Sequence, residues 1–252
     1  MKNALFLFVL LLSGLKAYST QSFSAENRFS QTPIPSDSLK KKVLKQLGFS
    51  ESELRDELFE EKVLPHAKTQ TVMVIPKQVD EDDGMFTIDA VIVVVNNQTG
   101  KIIQRFKEEN LLYSDAIHVS GFTIDTAPYM LTKEIRAFGV RVSYKNDSGP
   151  NPYRETNLSL FIQEGNSLRR VLRNVNVTSF SGEWDTNCAG EFHSGNSLVS
   201  FETETTNGCF NLVIKERSTT TLKEKIKGEC KERTIEEHEK KIIFYYNGKT
   251  YN

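Results

Sequence analysis

The apolar residues of this chain change their spacing near residue 66. Upstream, Leu39, Val43, Leu44 and Leu47 recur at three and four positions, which is the stripe of an amphipathic helix. Ser36 or Asp37 supplies its N-cap and Gly48 its end. A second short helix is predicted after Ser50, whose spacing to Glu53 matches a capping box, with Leu54, Leu58 and Phe59 as its apolar side and Pro65 beyond its end. The many charges of this 36–65 helical segment read as a solvated face.

From residue 66 onward the pattern is that of strands, and residues 66–252 read as a β-rich domain, with a division near 108–120 permitted by its length. The candidates are Thr71–Pro76, Met85–Val95, Lys101–Phe106, Ile117–Ile124, Ile135–Tyr144, Thr156–Gln163, Leu168–Val177, Leu198–Thr205, Cys209–Glu216 and Lys241–Tyr246. Ala90 to Val95 is an unbroken apolar run suited to a buried strand. Asn96–Gly100 predicts a hairpin turn, and Asn247-Gly248 carries a type I′ signal. About ten strands without alternating helices predict a mainly β fold, an antiparallel sandwich or a barrel-like domain, preceded by the two short helices. No repeat of propeller length is present.

The first nineteen residues change the picture of where the chain works. Lys2 precedes the apolar run Ala4–Leu12, and Ala17-Tyr18-Ser19 places small residues before Thr20, so residues 1–19 read as a signal peptide. The run is far shorter than the ~20 apolar residues of a membrane span, and no later stretch reaches that length. The expected mature protein, without a transmembrane segment, is periplasmic or secreted. Residues 20–35 are polar, end in two prolines and read as a flexible leader. Across 252 residues, 32 Lys and Arg stand against 33 Asp and Glu, and removal of Lys2 and Lys16 leaves 30 against 33. That balance gives no basic excess for nucleic acid.

Export makes the three cysteines informative, because an oxidising compartment favours one disulfide and one leftover thiol. Three pairings are possible. Cys209 opens a strand pattern with Phe210, Leu212 and Ile214 on one face, whereas Cys188 and Cys230 sit in the turn-like NCAGE and KGECKE. The reading therefore favours Cys188–Cys230. Spacings of twenty-one residues without a CxxC pair argue against a metal.

Candidate chemistry is sparse. The acidic Asp80–Gly84 fails the calcium-loop spacing, because its glycine is the fifth residue and not the sixth, and it reads as an exposed hairpin turn. The stretch Gly182–Gly195, GEWDTNCAGEFHSG, holds the sole Trp with Glu183, Asp185, Glu191 and His193. On a strand, Glu191 and His193 share a face, as an acid–base or metal pair would, but no third ligand is spaced to join them. The structural reading is a disulfide-pinned loop with Trp184 packed on the sheet. Asp115, His118 and Ser120 are close in sequence, with His118 and Ser120 expected on one strand face, yet a triad is assembled by folding rather than adjacency. No GxSxG elbow occurs, and Cys209 has no basic neighbour to activate it. The cluster Arg169-Arg170-Val171-Leu172-Arg173 reads as a solvated strand face. Asn97, Asn146, Asn157 and Asn176 head N-glycosylation sequons, which in a bacterial host mean only Asn-rich turns and strand edges.

Three segments resemble a family of uncharacterised exported bacterial proteins: Ile124–Tyr144 (IDTAPYMLTKEIRAFGVRVSY), GEWDTNCAGE at 182–191, and FYYNGKTY at 244–251. The resemblance covers roughly residues 115–252 and implies a secreted β-rich domain of unknown activity. It carries no catalytic residues across. Cys209 lies outside its pattern. The resulting expectation is a non-enzymatic binding or envelope-associated module with an envelope or extracellular ligand and neither cofactor nor metal. The alternative is a secreted hydrolase of unfamiliar type using Glu183, Asp185, Glu191 and His193.

Overall fold

The computed structural model describes residues 35–82, 85–113 and 116–252. The expected signal peptide, all but the last residue of the expected leader, Asp83 and Gly84 of the acidic turn, and Asp115 fall outside the described residues. Helix α1 (Ser36–Leu47) matches its stripe: Leu39, Val43 and Leu44 are buried. Its N-cap is Pro35, one residue before the expected Ser36. Gly48, at φ 71°, ends it in the left-handed conformation that glycine adopts without steric cost.

The second expected helix is reduced to two single 3-10 turns, Glu51–Glu53 and Asp56–Leu58. The Ser50–Glu53 capping box forms, but the chain then turns to meet a strand. Arg55 donates its backbone N–H to the Pro76 carbonyl (3.0 Å), and Leu54 bridges to Lys77. Residues 60–64 are strand β1 (Glu60–Leu64), so sheet pairing overrides the weak helical stripe.

The rest is mainly strands: β2 (Ala67–Asp82), β3 (Met85–Asn96), β4 (Ile102–Tyr113), β5 (His118–Met130), β6 (Arg136–Lys145), β7 (Tyr153–Glu164), β8 (Ser167–Trp184), β9 (Gly190–Thr206), β10 (Cys209–Ile226) and β11 (Glu229–Phe244). The sheet runs β1-β2-β3-β4-β8-β7-β6-β5 and curls almost into a barrel. All its ladders are antiparallel except β4–β8, where a single parallel bridge joins Arg105 to Ser167. At the other seam, Lys62 Nζ donates to the Ile124 carbonyl (3.1 Å), which brings β1 beside β5 without a ladder. The barrel-like alternative is therefore the one adopted.

Three apolar clusters follow from alternation. Val72, Val74, Ala90, Ile92, Val94, Ile124, Val140 and Phe161 point inward and fill the barrel. On the outer side of β2 and β3, Met73, Ile75, Val91, Val93 and Val95 are covered by Leu39, Val43 and Leu44 of α1. The run Ala90–Val95 is unbroken because both faces of β3 are buried. Outside β7 and β8, Leu158, Leu160, Ile162, Val171 and Leu172 pack under Leu212, Ile214, Tyr246 and Tyr251.

Beyond this third cluster, β9, β10 and β11 extend as a three-stranded arm. Its hairpins turn at Asn207-Gly208 (φ 50° and 81°) and Lys227-Gly228 (φ 52° and 88°), the paired left-handed residues of type I′ turns. The expected turn at Asn247-Gly248 also forms, but only Gly248 is left-handed (φ 96°), so it is not type I′. Asn247 Oδ1 instead accepts the backbone N–H groups of Lys249 and Thr250, both at 2.9 Å. Among the described residues, strand β11 pairs only with β10, and a register shift between Thr234 and Glu236 leaves Ile235 without a cross-strand partner.

Cys188 and Cys230 are joined, with Cα atoms 5.6 Å apart and a sequence separation of 42. The bond ties the β8–β9 connection to the start of β11. Cys209 is free and buried. The arginine cluster is not the solvated face expected of it. Arg170 pairs with Glu108 and lies over the Phe106 ring (5.1 Å), which closes the thin β4–β8 seam. Arg169 binds Glu164 (2.7 Å) and the Tyr246 hydroxyl (2.9 Å).

Candidate functional site

The segment 182–193 is an antiparallel strand pair closed by a five-residue loop. Glu183 stands opposite Glu191, Trp184 opposite Gly190, and Ser181 opposite His193. The loop is shaped by Asp185, whose Oδ1 accepts the backbone N–H groups of Asn187 (2.9 Å), Cys188 (2.7 Å) and Ala189 (2.9 Å). These bonds, that from Asn187 first, hold its carboxyl below the usual carboxylate range. Trp184 packs against Phe192, with ring centroids 6.1 Å apart, and its indole N–H donates to the Gly149 carbonyl (2.6 Å). Gly190 is required by closeness: a Cβ there would lie 2.2 Å from Trp184 Cβ and 2.7 Å from the Glu183 carbonyl oxygen. The expectation of a disulfide-pinned loop with a packed Trp184 thus describes this segment.

On the opposite side of the strand pair lies a cleft of about 600 Å³. Glu183, Glu191 and His193 line one wall, and Asn146, Asn151 and Tyr153 line the other. The second wall arises because Tyr153 of β7 pairs in register with Ser181 of β8. The turn before β7 is fixed by Asn146, whose Oδ1 accepts the Tyr153 N–H (2.8 Å) while its Nδ2 donates to the Asn151 carbonyl (2.8 Å). Burial, aided by a hydrogen bond to Glu155, pushes the Tyr153 hydroxyl up.

Alternation brings Glu191 and His193 together as the sequence suggests, with Oε1 and Nε2 3.3 Å apart. His193 Nδ1 lies 3.2 Å from the Thr220 hydroxyl of β10. Both side chains are half exposed. The two glutamates face each other directly across the ladder, an arrangement of like charges that costs stability. Of the four candidates within 182–195, Asp185 alone does not line the cleft. A carboxylate–imidazole pair in an open cleft can hold a polar ligand or pass a proton. The imidazole's hydroxyl neighbour is Thr220, on the far strand from the cleft's second wall.

The remaining candidates do not assemble. His118 is buried while Ser120 is exposed, because the register shifts between Val119 and Gly121, so the two do not share the surface expected of them. Cys209 packs in the third apolar cluster, and burial pushes its thiol up, against the partial opposition of Arg169. A second polar constellation that the sequence did not suggest lies on β5 and β6. Asp125 accepts from the Tyr129 hydroxyl (2.7 Å) and from Arg141 Nε (2.9 Å). Burial disfavours the charged Asp125, but bonds from Tyr129, Ala127 and Arg141 outweigh it and hold the carboxyl low. This network braces the β5–β6 pair. Among the described residues, no three His, Cys, Asp or Glu side chains converge as metal ligands would, and no helix is long and apolar enough to cross a membrane.

Compared with known protein families, with curated proteins and with solved structures, the chain matches no family model, no curated protein and no solved structure.

Proposed function

We propose that the protein is an exported, non-enzymatic binding module, periplasmic or secreted, whose envelope or extracellular ligand sits in the cleft between the β6–β7 turn and the β8–β9 pair. One observation carries this reading. Glu183, Glu191, His193 and Tyr153, drawn from three strands, converge on a single open cleft of a size usual for ligand sites. The directly opposed glutamates give up stability there, as residues selected for a site do. The oxidised Cys188–Cys230 pair supports a location outside the reducing cytoplasm.

A secreted hydrolase is the runner-up, favoured by the 3.3 Å approach of Glu191 to His193. Purified wild-type protein and the double variant Glu191→Gln/His193→Ala, applied to glycan and peptide arrays, distinguish the two. A ligand retained by the wild type and lost from an equally stable variant is the expected result. Hydrolysis of a glycan, peptide or ester that the same substitutions abolish would establish the hydrolase instead. A ligand held equally by both proteins would remove the cleft from the account.

A further inference from the structure

A second concavity, sharing no residue with the first, lies on the outer face of β2–β4 just past the end of α1. It is about 500 Å³ and its floor is apolar: Val91 of β3 is 5% exposed, with Leu47 and Phe49 beside it. Its rim is cationic. Lys77 of β2 and Arg105 and Lys107 of β4 surround it, against one carboxylate, Asp89.

The three cations are not equivalent. Lys107 Nζ is held by Asp89 (2.8 Å) and Glu109 (2.9 Å). Lys77 Nζ is held by Glu53 (3.1 Å) and lies 4.5 Å from the Phe49 ring centroid. Arg105 is exposed, and its guanidinium makes no hydrogen bond or ion pair among the described residues. It stands two residues from Lys107, so both project from the same side of β4 above Val91 and Val93, their register partners. The site therefore offers one uncommitted guanidinium, whose planar donors match an oxyanion in two-point contact, over a floor that gains by covering apolar surface.

We propose that this concavity binds an amphipathic organic anion, a carboxylate-like head on an aliphatic or aryl body, with Arg105 gripping the head and the half-buried Leu47 and Phe49 meeting the body. A bare inorganic anion would leave the floor uncovered, and an uncharged apolar molecule would leave Arg105 unmatched.

Titration with 1-anilinonaphthalene-8-sulfonate, which combines a sulfonate with an aryl body, tests this by fluorescence. The wild type is expected to bind one equivalent saturably, and octanoate to displace it where acetate at the same concentration does not. Arg105→Glu should weaken binding about tenfold or more and Arg105→Gln by a smaller factor. The same charge change at Lys133→Glu, an exposed loop position without an ion-pair partner among the described residues, should leave it within about twofold. Thermal melting of each variant confirms that it is folded. Absence of saturable binding to the wild type, equal loss in Lys133→Glu, or displacement by acetate as effective as by octanoate would each overturn the proposal.

Discussion

Replacing both Cys188 and Cys230 by Ser removes the bond while leaving no lone partner to capture Cys209. The bond closes a loop of 42 residues' separation that contains all of β9 and β10. Chain-entropy arithmetic for such a loop gives about 4 kcal/mol, an upper figure, since unfolded-state structure and native strain commonly reduce it. At about 2–4 °C per kcal/mol for a domain of this size, the melting temperature should fall by several degrees and at most by about 16 °C. The loss should also be uneven. Strand β11 is exposed for most of its length and pairs with β10 alone, so amide exchange should accelerate most over 217–240. Calorimetry and hydrogen exchange of the double variant, beside wild type treated with a thiol reductant, measure both effects. A melting temperature within about 1 °C of wild type, with unchanged exchange in the arm, would refute the reasoning. Cys209→Ala is the reference; it removes a buried sulfur and should cost on the order of 1 kcal/mol without touching the arm.

Four further outcomes follow from other parts of the molecule. Gly190→Ala forces a Cβ against the backbone of Glu183 and Trp184, so the β8–β9 pair must splay, and the emission of Trp184 should shift red while cleft binding is lost. Asp185→Ala should speed amide exchange at Asn187, Cys188 and Ala189. In the wild type their protection should be complete above the unfolded carboxyl pKa of about 3.9. It should be lost as pH falls through the lowered folded value, and loss already near neutral pH would contradict this. Leu160→Ala, fully buried between the barrel wall and its β10 cover, should destabilise by about 2–5 kcal/mol in denaturant titration. Mass spectrometry of protein recovered from the periplasm or medium should find a mature N-terminus at Thr20 or within a few residues of it, and an intact Met1 in a membrane fraction would contradict export.

What the sequence made legible depended on how many faces of a strand are covered. β3 announced itself because α1 and the barrel interior each bury one of its faces, and β7 because Leu158, Leu160 and Ile162 mark one side. The arm from Arg217 to Lys240 has no apolar rhythm, since most of its residues face water, and its sequence therefore does not mark it as strand. Residues 60–64 were drawn into a helix by the spacing of Leu54, Leu58 and Phe59, which carries no information about the strand waiting at Val72–Val74. In the cleft, Glu191 and His193 were recoverable from alternation within one strand. Tyr153 and Asn146 were not, because only the β7–β8 register brings them near. Asp185 had a readable signal of its own: an Asp followed by exposed loop residues commonly folds its carboxylate back onto their amides.

The open edge of β11 bears on how such molecules tolerate one another. A strand sixteen residues long with one edge unpaired among the described residues is a template on which a second chain could add itself, a route to aggregation. Here the template is spoiled. Lys231, Glu232, Arg233, Glu236, Glu237, Glu239, Lys240 and Lys241 crowd it with charge, and the unpaired Ile235 breaks its register midway. An incoming strand would have to desolvate these charges and would find the ladder interrupted at Ile235. A charged and interrupted edge of this kind therefore disfavours strand addition between copies of the molecule.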